Sequence, residues 1–360
     1  MSGRFSVIYN PRSLCNLKAD TYYMNMLSAM PGNALHIPYT NTDLQQIINH
    51  LAQDPVPCLV IDGGDGTVCR VLSALYASTW PQETWPLIVV LPSGNTNLIA
   101  ADVGFKTRGV EAIHLLQERL TAWEAGKAKV SVRRPLLVSY QQHKKRDLLG
   151  FFGGLGAFTR SVDIAHKPTV LNHFPHDMAI FVTLLVAISQ IINPKQRRAW
   201  LDGILAHIDI DGRVSFDQEH FLFLFTTLRK LPHGVWPFWC ENKGFAKELN
   251  YLDVGARPEK VLQACWNLLR GRVPEWLRCS STYKSGSAEK ITIHTNQAFV
   301  LDGEVISLSE SEDKCLTIGT GPEVSFLRVR EMFSFLLMVL MIVPCLNTLA
   351  QKSLIIFLKN

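Results

Sequence analysis

Two stretches constrain the fold more than any others. "CLVIDGGDGTVCRVLSAL" (58–75) runs from an apolar segment through six turn residues, Asp62 to Thr67, into a helix-like pattern. "PLIVVLPSGNTNLIA" (86–100) repeats the plan, with "SGNTN" at the turn. Each apolar run lacks polar alternation, as expected of a strand covered on both faces, and each is followed by a glycine turn and a helix. Two such units in succession predict an α/β domain built on a parallel sheet.

The flanking sequence extends this pattern. Strands are expected at Phe5–Tyr9, Ala34–Pro38, 56–61 and 86–92, and helices at 16–30, 42–53 (capped by Asn41 or Thr42), 67–77, from Leu98, and 107–120. The character changes near Gly126. Segments such as "KVSVRRPLLVSY", "ILAHIDIDGRVSF", "HFLFLFTTL" and "KITIHTNQAFVLDGEVISL" read as strands, interrupted by helices expected at 176–192 and 258–271. The expected organisation is an α/β domain over 1–128, a β-rich domain over 129–330 and an apolar tail over 331–360. Within that tail, "MFSFLLMVLMIVPCLNTLA" (332–350) approaches the roughly 20 residues that cross a bilayer, and it is broken by Pro344. A membrane anchor, an in-plane helix and a packed helix all fit it; contact with a membrane is the favoured expectation.

A hydrophobic content of 47% against 19% charged residues is that of a folded chain. The net charge of +5 suits anionic ligands or an anionic membrane, but is too small to indicate nucleic acid, and no nucleic-acid partner is expected. Eight scattered cysteines without a CxxC pair fit free thiols in a reducing cytosol, and "MSGRFSVIYNP" shows no secretory leader, so a cytoplasmic location is expected.

Backbone N–H groups at a glycine turn, reinforced by a helix N-terminus, form an anion site, because glycine lacks the Cβ that would hold a phosphate away. Gly63, Gly64, Gly66 and Gly94 suit that use, with Thr67, Asn95, Thr96 and Asn97 as side-chain donors. Neither turn has Walker or dinucleotide spacing. Asp302 and Glu304, in "AFVLDGEVI", are candidates for a general base, although Asp-Gly is also the usual signal of a plain hairpin.

Taken in order, Asn10-Pro11, Gly63–Thr67, Pro92–Asn97 and Asp302-Gly303-Glu304 resemble the motifs of the diacylglycerol kinase catalytic domain family, bacterial-type lipid kinases related to sphingosine and ceramide kinases. "FFGGLGAFTRSVD" and "TTLRKLPHGVWPFW" are also similar to stretches of that family, and the resemblance spans roughly residues 4 to 325. It implies a phosphofructokinase-like nucleotide domain followed by a β-sandwich that carries the Asp-Gly-Glu motif and binds lipid. It further implies Mg²⁺-dependent transfer of the γ-phosphoryl group of ATP to a lipid hydroxyl such as that of diacylglycerol. By the same resemblance Asn10, Thr40, Gly63–Thr67 and Gly94–Asn97 contact ATP, while Asp302 and Glu304 hold the base, with Asp65 as the competing base.

Several positions depart from the family pattern. Leu14 replaces a glycine, Arg70 an acidic residue, Asn95 a threonine and Leu98 an aspartate. A structural Mg²⁺ site has no clear counterpart among Glu241, Glu248 and Asp253. An NAD kinase-like phosphotransferase and a catalytically impaired nucleotide- or lipid-binding member are therefore the rival readings. His173 and His176 lack further metal ligands, the basic runs at 143–146 and 195–198 read as solvated turns, and Trp236, Phe238 and Trp239 read as core.

Overall fold

The first four strands in sequence, β1 (Ser6–Tyr9), β2 (Ala34–His36), β3 (Cys58–Gly63) and β4 (Leu87–Pro92), lie side by side in the order β2-β1-β3-β4, and all pair in parallel. The apolar runs of β1 and β3 are wholly buried, which is why they carry no polar alternation. Helices α1 (Thr21–Ala29), α2 (Asn41–Gln53), α3 (Asp65–Tyr76), α4 (Leu98–Val103) and α5 (Gly109–Glu124) alternate with them. This computed structural model describes residues 4–17, 20–30, 34–140, 147–165, 198, 200–212, 214–232, 235–240, 247–308 and 315–328.

Two helices start later than expected, α1 at Thr21 rather than 16 and α5 at Gly109 rather than 107, and two further starts differ for reasons visible in the structure. Helix α2 is capped by Thr40 and not by Asn41 or Thr42. Asp43 three residues on completes a capping box, with Thr40 Oγ1 accepting from Asp43 N at 3.1 Å and Asp43 Oδ2 accepting from Thr40 N at 3.0 Å. Helix α3 begins at Asp65, so the glycine turn supplies the first helical residues.

The sheet is completed from afar. Strand β5 (Val130–Arg133) is antiparallel to the last described strand, Val324–Leu327, which itself pairs in parallel with β4. The six-stranded sheet thus takes one strand from the end of the described chain. Arg133 on β5 forms a two-pronged ion pair with Asp102 on α4, Nε to Oδ2 at 2.9 Å and Nη2 to Oδ1 at 3.2 Å. Both side chains are buried.

Between these strands the chain builds a second sheet from β6 (Leu136–Tyr140), β7 (Leu148–Gly150), β8 (Phe152–Gly156), β9 (Ile204–Ile210), β10 (Val214–Thr226), β11 (Leu249–Gly255), β12 (Tyr283–Ala288), β13 (Ile291–His294), β14 (Phe299–Leu301), β15 (Glu304–Ile306) and β16 (Cys315–Thr320). The strand Val324–Leu327 is therefore β17. All pairings in the second sheet are antiparallel. The expected sandwich is a single curled sheet of eleven described strands. It curls because β10 is long enough to serve two sets of neighbours. Its first half pairs with β9 and its second half with β8 and β11, and its pairing with β11 shifts register between His220 and Leu222. At the shift, the fully buried His220 bridges Asp253 Oδ1 (2.6 Å) and the Ala206 carbonyl (3.2 Å).

Helices α6 (Ala157–Ala165), α7 (Val261–Leu269) and α8 (Glu275–Arg278) complete the described elements, and α7 agrees with the helix expected at 258–271. One apolar cluster runs from Ile8, Ile61 and Val90 of the first sheet to Phe151, Leu224 and Leu252 of the second, so the two sheets share a core. Phe238 is buried in it, with Trp236 and Trp239 packed partly buried against it. The helix expected at 176–192, with His173 and His176, lies outside the described residues, as does the tail expected over 331–360. Among the described residues no helix is long and apolar enough to cross a membrane. The seven described cysteines are free thiols.

The buried Arg133–Asp102 pair yields a stability prediction. Asp102→Ala strands the guanidinium in the core and should cost about 3–5 kcal/mol, whereas the double change Asp102→Leu with Arg133→Met should cost clearly less. Urea denaturation of the three proteins checks this.

Candidate functional site

The site forms where the two glycine turns meet at the C-terminal ends of β3 and β4. Gly64 and Gly94 touch through bare backbone: a Cβ on Gly94 would lie 2.3 Å from the Gly64 Cα, and one on Gly64 would lie 2.9 Å from the Gly94 Cα. No side chain fits either position without moving a main chain. The second turn closes on itself, with Asn97 Oδ1 accepting from Gly94 N at 2.8 Å and Asn97 Nδ2 donating to Gly94 O at 3.0 Å. To do this Asn97 takes a left-handed conformation, φ 49°, and its side chain is then not available to cap α4.

Asp65 supplies that cap from the other turn. Its carboxylate accepts from Leu98 N and Ile99 N, each at 2.9 Å, and from Thr96 Oγ1 at 2.7 Å. Burial raises its pKa, and these three hydrogen bonds pull the other way. Asp65 is therefore a clasp between the two turns, with one of its roughly four acceptor positions unfilled.

Asp62 does the same work one turn earlier, and sequence reasoning missed it. The residue is 1% exposed at the end of β3 and accepts from Ser93 Oγ (2.5 Å), Tyr23 Oη (2.6 Å) and Asn16 Nδ2 (3.0 Å). These bonds tie the 10–16 loop, α1 and the second turn to one carboxylate. A polar side chain ending a wholly apolar strand run was the available signal. Asn10 joins the same frame: its N–H donates to Asp62 O at 3.0 Å and its Nδ2 donates to Thr67 Oγ1 at 2.8 Å. Thr67 in turn packs over Gly63, where a Cβ would fall 2.6 Å from its side chain.

The Asp-Gly-Glu hairpin between β14 and β15 reaches this point from more than two hundred residues away. Glu304 lies over the first turn, since a Cβ on Gly66 would sit 2.7 Å from its Oε1. The same carboxylate forms an ion pair with Arg70 on α3. This accounts for the departure at position 70. Its charge answers Glu304 across the interface between α3 and the hairpin, where an acidic residue would have been repelled.

Asp302 stands at φ 47° and is 5% exposed. Its carboxylate accepts from Phe151 N (2.9 Å) and Phe152 N (2.9 Å), while its own N–H donates to Phe152 O at 2.8 Å. Burial lifts its pKa well above the usual carboxylate value, and the charge of Asp65 lifts it further, against the pull of the two amides. The two buried carboxylates, Asp65 and Asp302, thus lie near enough for their charges to interact.

Asn10, Gly63, Gly64, Asp65, Gly66, Thr67, Gly94, Thr96, Asn97, Asp302 and Glu304 are connected by the contacts above. Asn95 belongs to the second turn, and its Oδ1 is buried without a hydrogen-bond partner. Thr40 stands apart as the α2 cap, but its neighbour Asn41 shares a cleft of about 340 Å³ with Gln45, Arg70, Tyr140, Leu148 and Ile306. That cleft runs from the first turn of α2 to the Arg70–Glu304 pair. Among the described residues no group of three or more His, Cys, Asp or Glu side chains is placed to hold a metal ion.

With this geometry in place, comparison with known proteins is informative. Residues 4–128 match the model of the diacylglycerol kinase catalytic domain family. No curated protein matches the chain. Among solved structures, it is similar to a candidate diacylglycerol kinase from Bacillus anthracis strain Sterne, with a TM-score of 0.58, 16% identity, and coverage of 91% of this chain and 98% of that one. A diacylglycerol kinase from the same strain gives 0.54 and 15%, covering 91% and 97%. At these identities the likeness is one of fold, and it extends across both sheets. Yeast NADH kinase complexed with NADH scores 0.46 at 10% identity, covering 92% and 85%, too slight a likeness to carry an argument.

Two substitutions test the assembly. Gly94→Ala forces the turns apart and should cost about 1–3 kcal/mol in urea denaturation. Arg70→Glu sets two carboxylates against each other and should lower activity more than Arg70→Gln. Adding Glu304→Arg should restore part of the loss, as read by a double-mutant cycle on kcat/KM.

Proposed function

We propose that this chain is an ATP-dependent lipid kinase that phosphorylates the hydroxyl of a diacylglycerol-like lipid. The observation that carries the reading is the convergence of both glycine turns and the Asp-Gly-Glu hairpin on one space, with Glu304 over Gly66 and the buried charge of Asp302 set against that of Asp65. The family match supports a kinase-type phosphotransferase that uses a nucleotide. Phosphoryl transfer asks for positioned phosphates, compensated charge and a group to orient the acceptor, and the residues assembled here can supply each.

In this reading the amides of Gly64 and Gly66, at the positive end of α3, hold the phosphates together with the Thr67 hydroxyl and the Asn95–Thr96 stretch of the second turn. The cleft beside Asn41 and Gln45 receives the nucleoside. Asp302 accepts the proton of the lipid hydroxyl. The oxygen then bonds to the γ-phosphorus as the bond from that phosphorus to the β-γ bridging oxygen breaks, releasing ADP. Asp65, whose oxygens are mostly committed to α4, positions rather than reacts. The acidic set fits a Mg²⁺ held chiefly by nucleotide phosphates and water, because Asp65 and Asp302 each keep an acceptor position and their mutual repulsion favours a cation nearby. When bound, that ion would offset charge on the transferring phosphoryl group. The nucleotide half is built on 1–128 and completed by β5 and β17, the acceptor half is the rest of 129–330, and the apolar 331–360 segment brings the enzyme to the cytoplasmic face of a membrane, where its substrate resides.

The purified full chain, radiolabelled ATP and Mg²⁺ should give labelled phosphatidic acid from dispersed diacylglycerol and no labelled product from NAD. Label on NAD, or on nothing, overturns the proposal. Asp302→Asn should lower kcat by about a hundredfold or more. It should cost little stability at neutral pH, since a carboxyl whose folded pKa is raised stabilises the fold only in acid and loses that contribution as pH rises through the folded value. For wild type, kcat/KM should fall on the acid side with a midpoint well above the ordinary carboxylate range, as the base becomes protonated.

A further inference from the structure

A second cleft, of about 410 Å³, lies away from the glycine turns. Its walls are the turn after β10 (Thr227 to Arg229), the β5–β6 corner (Arg133 and Arg134), and Lys247, Glu248 and Asn250 at the start of β11, with Trp236 alongside. Four of its lining residues are cationic and one, Glu248, is anionic.

The charges are unequally satisfied. Arg133 is committed to Asp102, and Lys247 to Asp211 (2.6 Å) and Glu289 (3.3 Å). Arg134 has one close partner, Glu323, at 2.8 Å. Toward the cleft, however, Arg134 and Arg229 share Glu248 at 3.9 and 3.8 Å, beyond the 2.7–2.9 Å of a charge-assisted hydrogen bond. The surrounding field is positive: the ammonium of Lys230 is pushed down first by burial and then by Arg328, with Lys106 and Arg133 adding to it against the opposing pull of Asp102.

An independent observation comes from Thr227. It is 4% exposed, it lines the cleft, and its Oγ1 has no hydrogen-bond partner. The neighbouring Thr226 donates its hydroxyl to Phe151 O at 2.7 Å, and Thr227 N takes the same carbonyl at 3.1 Å. That acceptor is therefore shared already, and the Thr227 hydroxyl is left without one. A buried, unpartnered hydroxyl lining the same cleft as two guanidinium groups that share one distant carboxylate there calls for an acceptor-rich ligand.

We propose that this cleft binds a phosphate group, with Thr227 Oγ1 donating to one oxygen and Arg134 and Arg229 turning from Glu248 onto the others. Guanidinium forks match phosphate oxygens in pairs, and a doubly charged phosphate competes well against a single carboxylate held at almost 4 Å. Trp236 and Leu228 give the cleft an apolar side that suits a phosphate carried on an organic group. Either a phospholipid headgroup or a free phosphate fits this chemistry. The inference stands independently of the kinase reading, because none of these residues belongs to the glycine turns or the Asp-Gly-Glu hairpin.

The test uses the full chain and four proteins: wild type, Arg229→Gln, Thr227→Val and Glu248→Gln. Inorganic phosphate is titrated by calorimetry, and flotation is measured with phosphatidylcholine vesicles with and without phosphatidylglycerol. Phosphate affinity should fall about tenfold in Arg229→Gln, fall less in Thr227→Val, and rise several-fold in Glu248→Gln, where the competing carboxylate is removed. The rise cannot come from misfolding, and it separates this cleft from phosphate bound at the glycine turns. If phosphatidylglycerol-dependent flotation follows the same order, the ligand is a lipid headgroup; if only the phosphate titration does, it is a free phosphate. Absence of both kinds of binding in wild type, or equal binding by all four proteins, overturns the proposal.

Discussion

The Asp65 carboxylate is the contact on which the rest of the site depends. Helix α4 begins at a residue, Asn97, whose side chain is spent on closing its own turn. The helix therefore has no local cap, and its first amides are satisfied by the first residue of α3 instead. A single side chain thus joins two strand–turn–helix units and holds their glycines in backbone contact. Replace either glycine by a residue with a Cβ and the clasp cannot close; remove the clasp and the first turn of α4 loses the acceptor for its leading amides, although Asp102 and its apolar face still hold the helix to the sheet.

This arrangement sets the electrostatics of the site. Two helix N-termini, with their partial positive charge, point at the same region as two buried carboxylates, Asp65 and Asp302. Each carboxylate is tolerated because backbone amides reach it, yet Asp302 is held in a left-handed conformation within repelling distance of Asp65. Asp62, by contrast, has its donors supplied wholly from within and belongs to the frame rather than to the cavity.

Much of this was legible in the sequence because it depends on local pattern. The apolar runs marked the parallel strands, and the glycine turns marked the site. Four short motifs in fixed order marked what meets there. The remainder depends on partners distant in sequence. Arg70 is an anomaly until Glu304 is brought beside it. The start of α2 at Thr40 turns on whether Thr40 or a following residue pairs with Asp43. "ILAHIDIDGRVSF" and "HFLFLFTTL" read as separate strand segments, whereas the chain from Val214 to Thr226 continues through a register shift as one strand, and so makes one curled sheet where two were expected. Asp62 is signalled only as a polar residue closing an apolar run, and Thr227 is one ordinary position within "TTLRKLPHGVWPFW". The donors around the first, and the lack of an acceptor near the second, are what distinguish them.

The position of β17 has a consequence for how the protein comes to be made. It pairs with β4 through Phe326 and Ile88, and β5 pairs only with β17 in the first sheet. When the amino-terminal strands leave the ribosome, the sheet has an open edge at β4, and it stays open until the whole second sheet has been synthesised. An apolar parallel edge exposed for that long invites pairing with another chain, and contacts of such high sequence separation form slowly. The last described strand therefore acts as a closing seam, and folding of the first sheet is finished by residues that belong, in the order of translation, to the end of the described chain.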